Sequence, residues 1–381
     1  MSFDDPDEVV NELNALVPQA ETPVANETGR LEAWLRTLVT RRGADLLLVA
    51  DSPPGVRIDG EVSRLEEAAL DGDDIESVVR PALPAYARDR YDETRITDAS
   101  WKVPGLGRFR INLHHERGRP AATIRALPTR VPRLTSLGLP ANVELLSRIP
   151  HGLVVIGGAT GSGKSTTLAA IVHEINRRDR RHIVTIEDPI EYEHVHDQCL
   201  VEQVEIGTDA PDFPTALRAV VRQSPDVIVI GEMRDPDTMR IALAAAQTGH
   251  LVLTTMHTTD VSSTVGRIAD YFPAERQPTI RQDLAMGLSA VFIQALLPRI
   301  GGGRIPAAEM LMVGYGARQH IRKNALQHLN QEITITRKAG SFTLEDCLVN
   351  LIRKGLIERG EGLLRAWHAD EFEKALAAAG I

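Results

Sequence analysis

A strand, a glycine-rich loop and a helix are encoded one after another in the middle of this chain. Residues 158–165 read GATGSGKS, which matches the pattern G-x-x-x-x-G-K-[ST]. An apolar run at 153–156 precedes them, and apolar residues with helical spacing follow at positions 168, 171, 172 and 175. Glycines let consecutive backbone N–H groups turn toward one anion, and the helix N-terminus adds positive partial charge. The segment therefore predicts a phosphate-binding loop between a buried strand and a helix.

This loop supplies the groups that a nucleoside triphosphate needs. Lys164 can bridge the β- and γ-phosphates, and the Ser165 hydroxyl can bind Mg²⁺. We therefore predict a site for ATP and Mg²⁺. Its nine consecutive binding residues are Gly158, Ala159, Thr160, Gly161, Ser162, Gly163, Lys164, Ser165 and Thr166.

Strand and helix patterns alternate after residue 152. Asp235, Pro236 and Gly249 suit the N-cap, the first position and the C-terminal stop of one of these helices. Short apolar strands separated by helices indicate a parallel sheet that is covered on both faces. The predicted strands are 153–156, 183–186, 227–230 and 251–255, and the predicted helices begin at 165, near 215 and at 236.

Acidic residues follow two of these strands, and a histidine follows a third. The carboxyl ends of parallel strands share one edge with the loop, so Glu191 and Glu232 should converge on the γ-phosphate and the metal. We expect Glu232, together with Ser165, to organise the Mg²⁺ shell, and Glu191 to act as general base. The alternative for either acid is an N-cap. His257 is a candidate γ-phosphate sensor, with a packed structural histidine as its alternative.

The part of the chain before residue 131 has a different character. Residues 1–28 are acidic, and their composition favours a disordered leader, although a short apolar spacing leaves a docking helix open. From 29 to 130 a helical pattern and then alternating strand patterns predict a mixed α+β domain.

The last hairpin of that domain pairs two strands whose apolar faces must coincide. This register sets Ile111 near Ile124, and Arg110 near Arg125 on the opposite face. Like charges placed in this way destabilise a sheet. The two arginines therefore either project into water or hold an anion between them.

Composition excludes several classes of protein. The 43 basic residues against 52 acidic ones give a net charge of −9, which argues against binding nucleic acid by bulk charge. Apolar stretches fall far short of the ~20 residues that span a bilayer. The two cysteines, Cys199 and Cys347, are too few for a disulfide framework or a zinc knuckle, and no secretory leader opens the chain. We expect a cytoplasmic protein without zinc.

Four segments resemble, in order and spacing, the motifs of the type II and type IV secretion ATPases. The similarity covers nearly everything after the leader, and within the superfamily it points to the type IV pilus retraction (PilT-like) ATPases. The segments are 158–167 (GATGSGKSTT, Walker A), 185–192 (TIEDPIEY, Asp box), 230–235 (IGEMRD, Walker B) and 248–259 (TGHLVLTTMHTT, His box).

This resemblance implies a fold, an assembly and a role. The fold would be a PAS-like α+β domain at 29–130, then a RecA-like P-loop ATPase domain at 131–381 whose C-terminal region, from about 307, is helical. Six copies would form a ring with ATP between the two domains, Glu191 as general base, and Arg110 and Arg125 reaching the nucleotide. Hydrolysis would drive pilus retraction, and hence twitching motility, through a platform protein at the cytoplasmic face of the inner membrane.

Three alternatives stay open at this point. A pilus-assembly or type II secretion ATPase usually carries a four-cysteine zinc site near residues 297–303, where this chain has no cysteine. A RecA-like nucleic-acid motor is disfavoured by the net acidity. A scaffold that binds ATP without hydrolysing it is disfavoured by the retained Lys164, Ser165, Glu191 and Glu232.

Overall fold

The computed structural model describes residues 28–381, which divide into two compact units between Leu127 and Pro128. The predicted leader lies outside the described residues except for Thr28. The predicted domain boundary at 130 falls close to the division between the units.

In its described residues, 28–127, the N-terminal unit has a six-stranded antiparallel sheet and three α-helices. The strand order is β3-β2-β1-β6-β5-β4. The elements are α1 (Gly29–Thr40), β1 (Asp45–Leu48), β2 (Gly55–Ile58), β3 (Glu61–Arg64), α2 (Gly72–Val79), α3 (Ala85–Thr94), β4 (Ile96–Val103), β5 (Gly107–Glu116) and β6 (Arg119–Ala126).

The hairpin of β5 and β6 has the register that the alternation of residues predicts. Ile111 lies opposite Ile124, and Arg110 lies opposite Arg125. Both isoleucines are fully buried, so a slip by one residue would expose them and bury the arginines instead. Burial of one face therefore fixes the register, and this prediction is confirmed.

The C-terminal unit is built on a seven-stranded sheet in the order β13-β12-β7-β11-β10-β8-β9. Every neighbouring pair is parallel except β12 with β13. The strands are β7 (Gly152–Gly157), β8 (His182–Glu187), β9 (Leu200–Glu205), β10 (Val227–Ile230), β11 (Leu251–Met256), β12 (Leu288–Pro298) and β13 (Arg304–Met312).

Helices cover both faces of this sheet. One apolar core includes Val154 and Ile156 of β7, and a second includes Leu153 and Val155, so the strand is buried on both sides. The helices are α4 (Lys164–Arg178), α5 (Phe213–Val220), α6 (Pro236–Gln247), α7 (Val261–Asp270), α8 (Gln277–Gly287), α9 (Tyr315–Arg322), α10 (Leu329–Ile335), α11 (Leu344–Arg353), α12 (Arg359–Arg365) and α13 (Ala369–Ala378). Side chains from α4, α11 and α13 build the first core, and those from α5 to α10 build the second. The predicted parallel sheet covered on both faces is confirmed.

Helix α6 shows how local sequence sets its ends. Asp235 accepts a hydrogen bond from the backbone N–H of Thr238 at 2.8 Å, Pro236 occupies the first turn, and the helix stops before Gly249, whose φ is +107°. These are the cap and the stop that the sequence predicts.

The C-terminal region differs from the prediction at its start. The sequence predicts helical structure from about residue 307, but Arg304–Met312 is strand β13, paired along its length with β12, and the helices begin at Tyr315. Alanine, glutamate, methionine and leucine in this strand are good helix formers. Burial against β12 outweighs that preference, since tertiary packing overrides weak local propensity.

Strand β13 also carries a buried acid. Glu309 is 4% exposed and accepts a hydrogen bond at 3.0 Å from the backbone N–H of Val261, the first residue of α7. Burial raises the pKa of Glu309 to about 7. Along residues 28–381 no helix is long and apolar enough to cross a bilayer.

Candidate nucleotide site

The predicted phosphate loop joins β7 to α4 at the carboxyl edge of the sheet. Gly161 and Gly163 have φ values of +77° and +89°, a backbone region that residues with a Cβ rarely adopt. Lys164 and Ser165 then begin the first turn of α4. The loop therefore has the conformation and the position that bind phosphate at a helix N-terminus.

The Lys164 ammonium lies inside this loop. Its Nζ donates to the carbonyl oxygens of Gly158 at 2.9 Å and Ala159 at 3.0 Å. Burial lowers the pKa of Lys164, while the negative charges of Glu232 and Glu191 oppose that shift. Both predicted acids therefore lie near enough to act electrostatically on the loop lysine.

His257 joins the Walker B acid to the loop. Its Nε2 lies 3.1 Å from Oε1 of Glu232, and its Nδ1 lies 3.3 Å from Nζ of Lys164 and 3.4 Å from the hydroxyl of Thr160. An ammonium group only donates, so Nδ1 is the acceptor and the proton of the neutral ring resides on Nε2, where it donates to Glu232. His257 thus has polar partners on both sides, unlike a histidine that is merely packed.

Glu232 has a second partner that sequence reasoning missed. Arg234 donates to Oε2 of Glu232 at 2.7 Å. Burial raises the pKa of Glu232, but the hydrogen bond and charge of Arg234, together with His257, outweigh it and lower the pKa overall. The carboxylate is ionised at neutral pH. The sequence does carry a signal for this contact, because the basic residue Arg234 stands two positions after Glu232.

Glu191 follows β8 and has an exposed side chain, and the Glu187 carboxylate accepts a hydrogen bond from its backbone. The N–H of Glu191 donates to Oε2 of Glu187 at 3.4 Å, while the Thr185 hydroxyl and Nε2 of Gln203 donate to Oε1 at 2.7 and 3.2 Å. Burial raises the pKa of Glu187. The side chain of Glu191 is exposed.

Tyr192 ties the same segment to the loop helix. Its hydroxyl lies 2.9 Å from the Thr166 hydroxyl, and its ring is 8% exposed. The candidate base and the Walker A helix are therefore linked through neighbouring residues. Sequence reasoning missed this contact, because it depends on where the segment after β8 meets α4.

The donors present suit Mg²⁺. The Ser165 hydroxyl and the ionised Glu232 carboxylate are hard oxygen ligands, and Mg²⁺ is commonly bound by one or two such groups together with phosphate oxygens and water. Among the described residues no three His, Cys, Asp or Glu side chains are grouped to hold a metal ion.

Arg110 and Arg125 lie in the N-terminal unit, and each has an aspartate partner. Arg110 contacts Asp98 at 3.1 Å, and Arg125 contacts Asp45 at 2.8 Å. Asp45 is 5% exposed and also contacts Arg57 at 3.2 Å. Neither predicted alternative, water or a shared anion, included these carboxylates, which offset the repulsion between the two arginines.

Known proteins share this sequence and fold. The family model described as "Type II/IV secretion system protein" matches residues 119–342. The type IV pilus retraction ATPase PilT of Pseudomonas aeruginosa is 40% identical over 320 residues, which are 84% of this chain and 93% of that protein. A twitching motility protein of Neisseria gonorrhoeae is 36% identical over 323 residues, 84% of this chain and 86% of its own length. The chain belongs to the type II/IV secretion ATPase family.

The fold of this secretion ATPase agrees with that membership. A crystal structure of the pilus retraction motor PilT with bound ADP is similar at a TM-score of 0.82 and 38% identity, covering 90% of this chain and 98% of that one. The predicted fold class, an N-terminal α+β domain followed by a P-loop ATPase domain with C-terminal helices, is confirmed. The prediction that the chain is an ATPase is confirmed as well. The roles of individual site residues stay predictions.

Proposed function

We propose that this secretion ATPase is a pilus retraction motor. Six copies would form a ring, hydrolyse ATP, and pass the resulting motion to a platform protein at the cytoplasmic face of the inner membrane. The observation that carries this proposal is the similarity to a retraction ATPase along most of both chains, rather than over the ATPase motifs alone. The cysteine-free stretch 297–303 further separates the chain from relatives with a four-cysteine zinc site.

In this proposal the loop residues bind the phosphates and Lys164 supplies their cation. Lys164 exchanges its contacts with the carbonyls of Gly158 and Ala159 for phosphate oxygens, which accept charge-assisted hydrogen bonds. Ser165 and Glu232 would hold Mg²⁺, which neutralises phosphate charge when it is bound. Glu191 takes a proton from the attacking water, and its exposed side chain on a tethered backbone supports that role.

His257 is proposed to sense the γ-phosphate through Lys164. Nδ1 of His257 faces Lys164, and Nε2 faces Glu232. A movement of Lys164 toward phosphate would therefore change the hydrogen bond to Nδ1 and leave the hydrogen bond from Nε2 to Glu232. The position of the imidazole beside Glu232, just after the Walker B strand, would thereby depend on whether nucleotide occupies the loop.

Arg110 and Arg125 are proposed to reach the nucleotide while they also contact their aspartates. A guanidinium has five N–H donors, and the two side chains are 42% and 63% exposed. Mixing Arg110→Ala or Arg125→Ala protein with Lys164→Ala protein tests whether they act on a neighbouring copy. A mixed ring would contain some sites with both groups intact, so partial recovery of ATPase activity supports action between copies.

A strain of the source organism that lacks this gene tests the retraction role. Restoring wild-type protein should restore twitching, whereas Glu191→Gln protein should leave cells piliated but immobile. Cells without pili would indicate an assembly ATPase instead, and a defect confined to protein export would indicate a type II secretion ATPase. Strong stimulation of the purified ATPase by DNA would contradict the proposal in favour of a nucleic-acid motor.

A further inference from the structure

A buried amide lies beside the phosphate loop on a strand that is otherwise largely apolar. Gln294 belongs to β12, which runs parallel to β7 with Ile293 level with Gly157. Gln294 is therefore level with the first residue of the loop, and it is 4% exposed. Burying an amide costs free energy unless hydrogen bonds satisfy it, so its partners explain why it is there.

Both ends of this amide are bonded to the phosphate-binding segment. Nε2 of Gln294 donates to the carbonyl oxygen of Ser162 at 2.7 Å, and Oε1 accepts from the hydroxyl of Thr167 in α4 at 2.6 Å. A carbonyl oxygen only accepts, which fixes the orientation of the amide. Gln294 thus joins the loop to the helix that follows it.

The bond to Ser162 determines where the next backbone N–H points. The peptide between Ser162 and Gly163 is trans and planar, so its C=O and N–H point in opposite directions. Drawing the carbonyl inward to Gln294 turns the N–H of Gly163 outward, to the side where the loop meets phosphate. One buried side chain thereby sets the direction of one donor of the loop.

The glycines confirm how closely the loop and Gln294 approach. A Cβ on Gly163 would lie 2.8 Å from Nε2 of Gln294. A Cβ on Gly158 would lie 2.3 Å from the backbone oxygen of Gln294. The backbone of Gln294 therefore excludes a side chain at Gly158, and its amide crowds one at Gly163, in addition to the limits set by their φ values.

We propose that Gln294 is a positioning residue that aims the Gly163 N–H at the β-phosphate of bound nucleotide. The proposal rests on the assignment of this loop to nucleotide phosphates. It implies that Gln294 acts on nucleotide affinity rather than on the chemical step, because ADP and ATP both carry a β-phosphate.

Gln294→Leu replaces the amide with an apolar side chain of similar size and removes both hydrogen bonds. The Kd for ADP, measured by calorimetric titration of the full chain, should rise about fivefold to thirtyfold, since a loop donor loses its orientation. The KM for ATP should rise in parallel while kcat stays within about twofold. Ser289→Ala is the matched control, because Ser289 lies on the same strand and donates to the His151 carbonyl, away from the loop. Its Kd should match that of wild type.

Gln294→Glu distinguishes positioning from packing. A carboxylate cannot donate to the Ser162 carbonyl, whereas the protonated acid can, so the ratio of variant to wild-type Kd should fall as the pH is lowered from 8 toward 6. This series keeps the proposal testable if Gln294→Leu does not fold. A ratio that is independent of pH would overturn the proposal.

Thr167→Val removes the other partner of Gln294 and leaves the Ser162 bond. It should lower the Tm while changing the Kd less than Gln294→Leu does. Equal rises in Kd for both variants, in step with equal losses of Tm, would mean that Gln294 only packs the loop. If Lys164→Ala weakens ADP binding and Gln294→Leu does not, the positioning role fails and the site stands. If neither variant weakens binding, the site assignment itself fails.

Discussion

Glu309 should make the stability of the C-terminal unit depend on pH near neutrality. Its carboxyl is buried between β13 and the start of α7, with the Val261 N–H as a hydrogen-bond donor and the charges of Asp260 and Glu345 nearby. Burial raises its pKa from 4.5 to about 7, partly opposed by the Val261 bond and reinforced by the two acids. The folded chain therefore holds a proton that the unfolded chain has already released between these two values.

The sign and size of the effect follow from proton linkage. Below pH 4.5 both states are protonated and Glu309 contributes no pH dependence. Between pH 4.5 and 7 the folded state binds more protons than the unfolded state, so the free energy of unfolding falls as the pH rises. At 1.36 kcal/mol per pH unit the loss is up to about 3 kcal/mol, complete above pH 7.

Glu309→Gln removes this titration, and the glutamine side-chain oxygen can still accept the hydrogen bond from the Val261 N–H. We expect the difference in unfolding free energy, wild type minus variant, to fall by up to about 2.5 kcal/mol between pH 5 and pH 8, measured by urea unfolding at each pH. Glu371→Gln, which changes an exposed carboxylate on α13, should run parallel to wild type. If the Glu309→Gln and wild-type profiles are also parallel, the acid does not titrate in this range and the reasoning from burial is refuted.

Further predictions concern the nucleotide site. Lys164→Ala should lower the affinity for ATP by about one to two decades in a calorimetric titration, and unchanged affinity would contradict the loop assignment. Glu191→Gln should still bind ATP while phosphate release slows on the order of 10²–10⁴-fold, and a wild-type rate would mean that another residue is the base. Glu232→Gln should raise the Mg²⁺ concentration at half-maximal turnover, which a role outside the metal shell would not do. Arg110→Ala and Arg125→Ala should each cost no more than about 1 kcal/mol of stability while turnover is lost, and normal turnover in both would leave the pair a surface feature.

Patterns that repeat along the chain predicted the fold well. The four central strands of the C-terminal sheet are short apolar runs with turn signals, and each lies within a residue or two of its expected bounds. The β5–β6 register followed from alternation, since only one register buries both Ile111 and Ile124. These features depend on sequence neighbours or on a single buried face, so the sequence contains what decides them.

Sequence patterns did not predict the contacts between elements that are far apart in the chain. Strand β13 has helix-forming composition and becomes a strand only because β12 is beside it. Arg234 on Glu232, Tyr192 on Thr166 and Gln294 on Ser162 depend on which elements are neighbours. The sequence does indicate a special role for Gln294, because a single amide within the apolar run 290–297 predicts a buried side chain that needs hydrogen-bond partners.

The order of the strands explains why these particular side chains meet. Strand β11 lies between β7 and β10, so a residue just past its end faces the phosphate loop on one side and the Walker B acid on the other. His257 occupies that place, and its two ring nitrogens contact one group from each neighbour. Strand β12 flanks β7 on the opposite side, and from there Gln294 reaches the back of the loop. Side chains from both neighbouring strands therefore contact the loop. The His257 ring contacts it on the side of the candidate acids, and the Gln294 amide contacts it on the opposite side. The two contacts to the loop therefore come from opposite sides, His257 after β11 and Gln294 on β12.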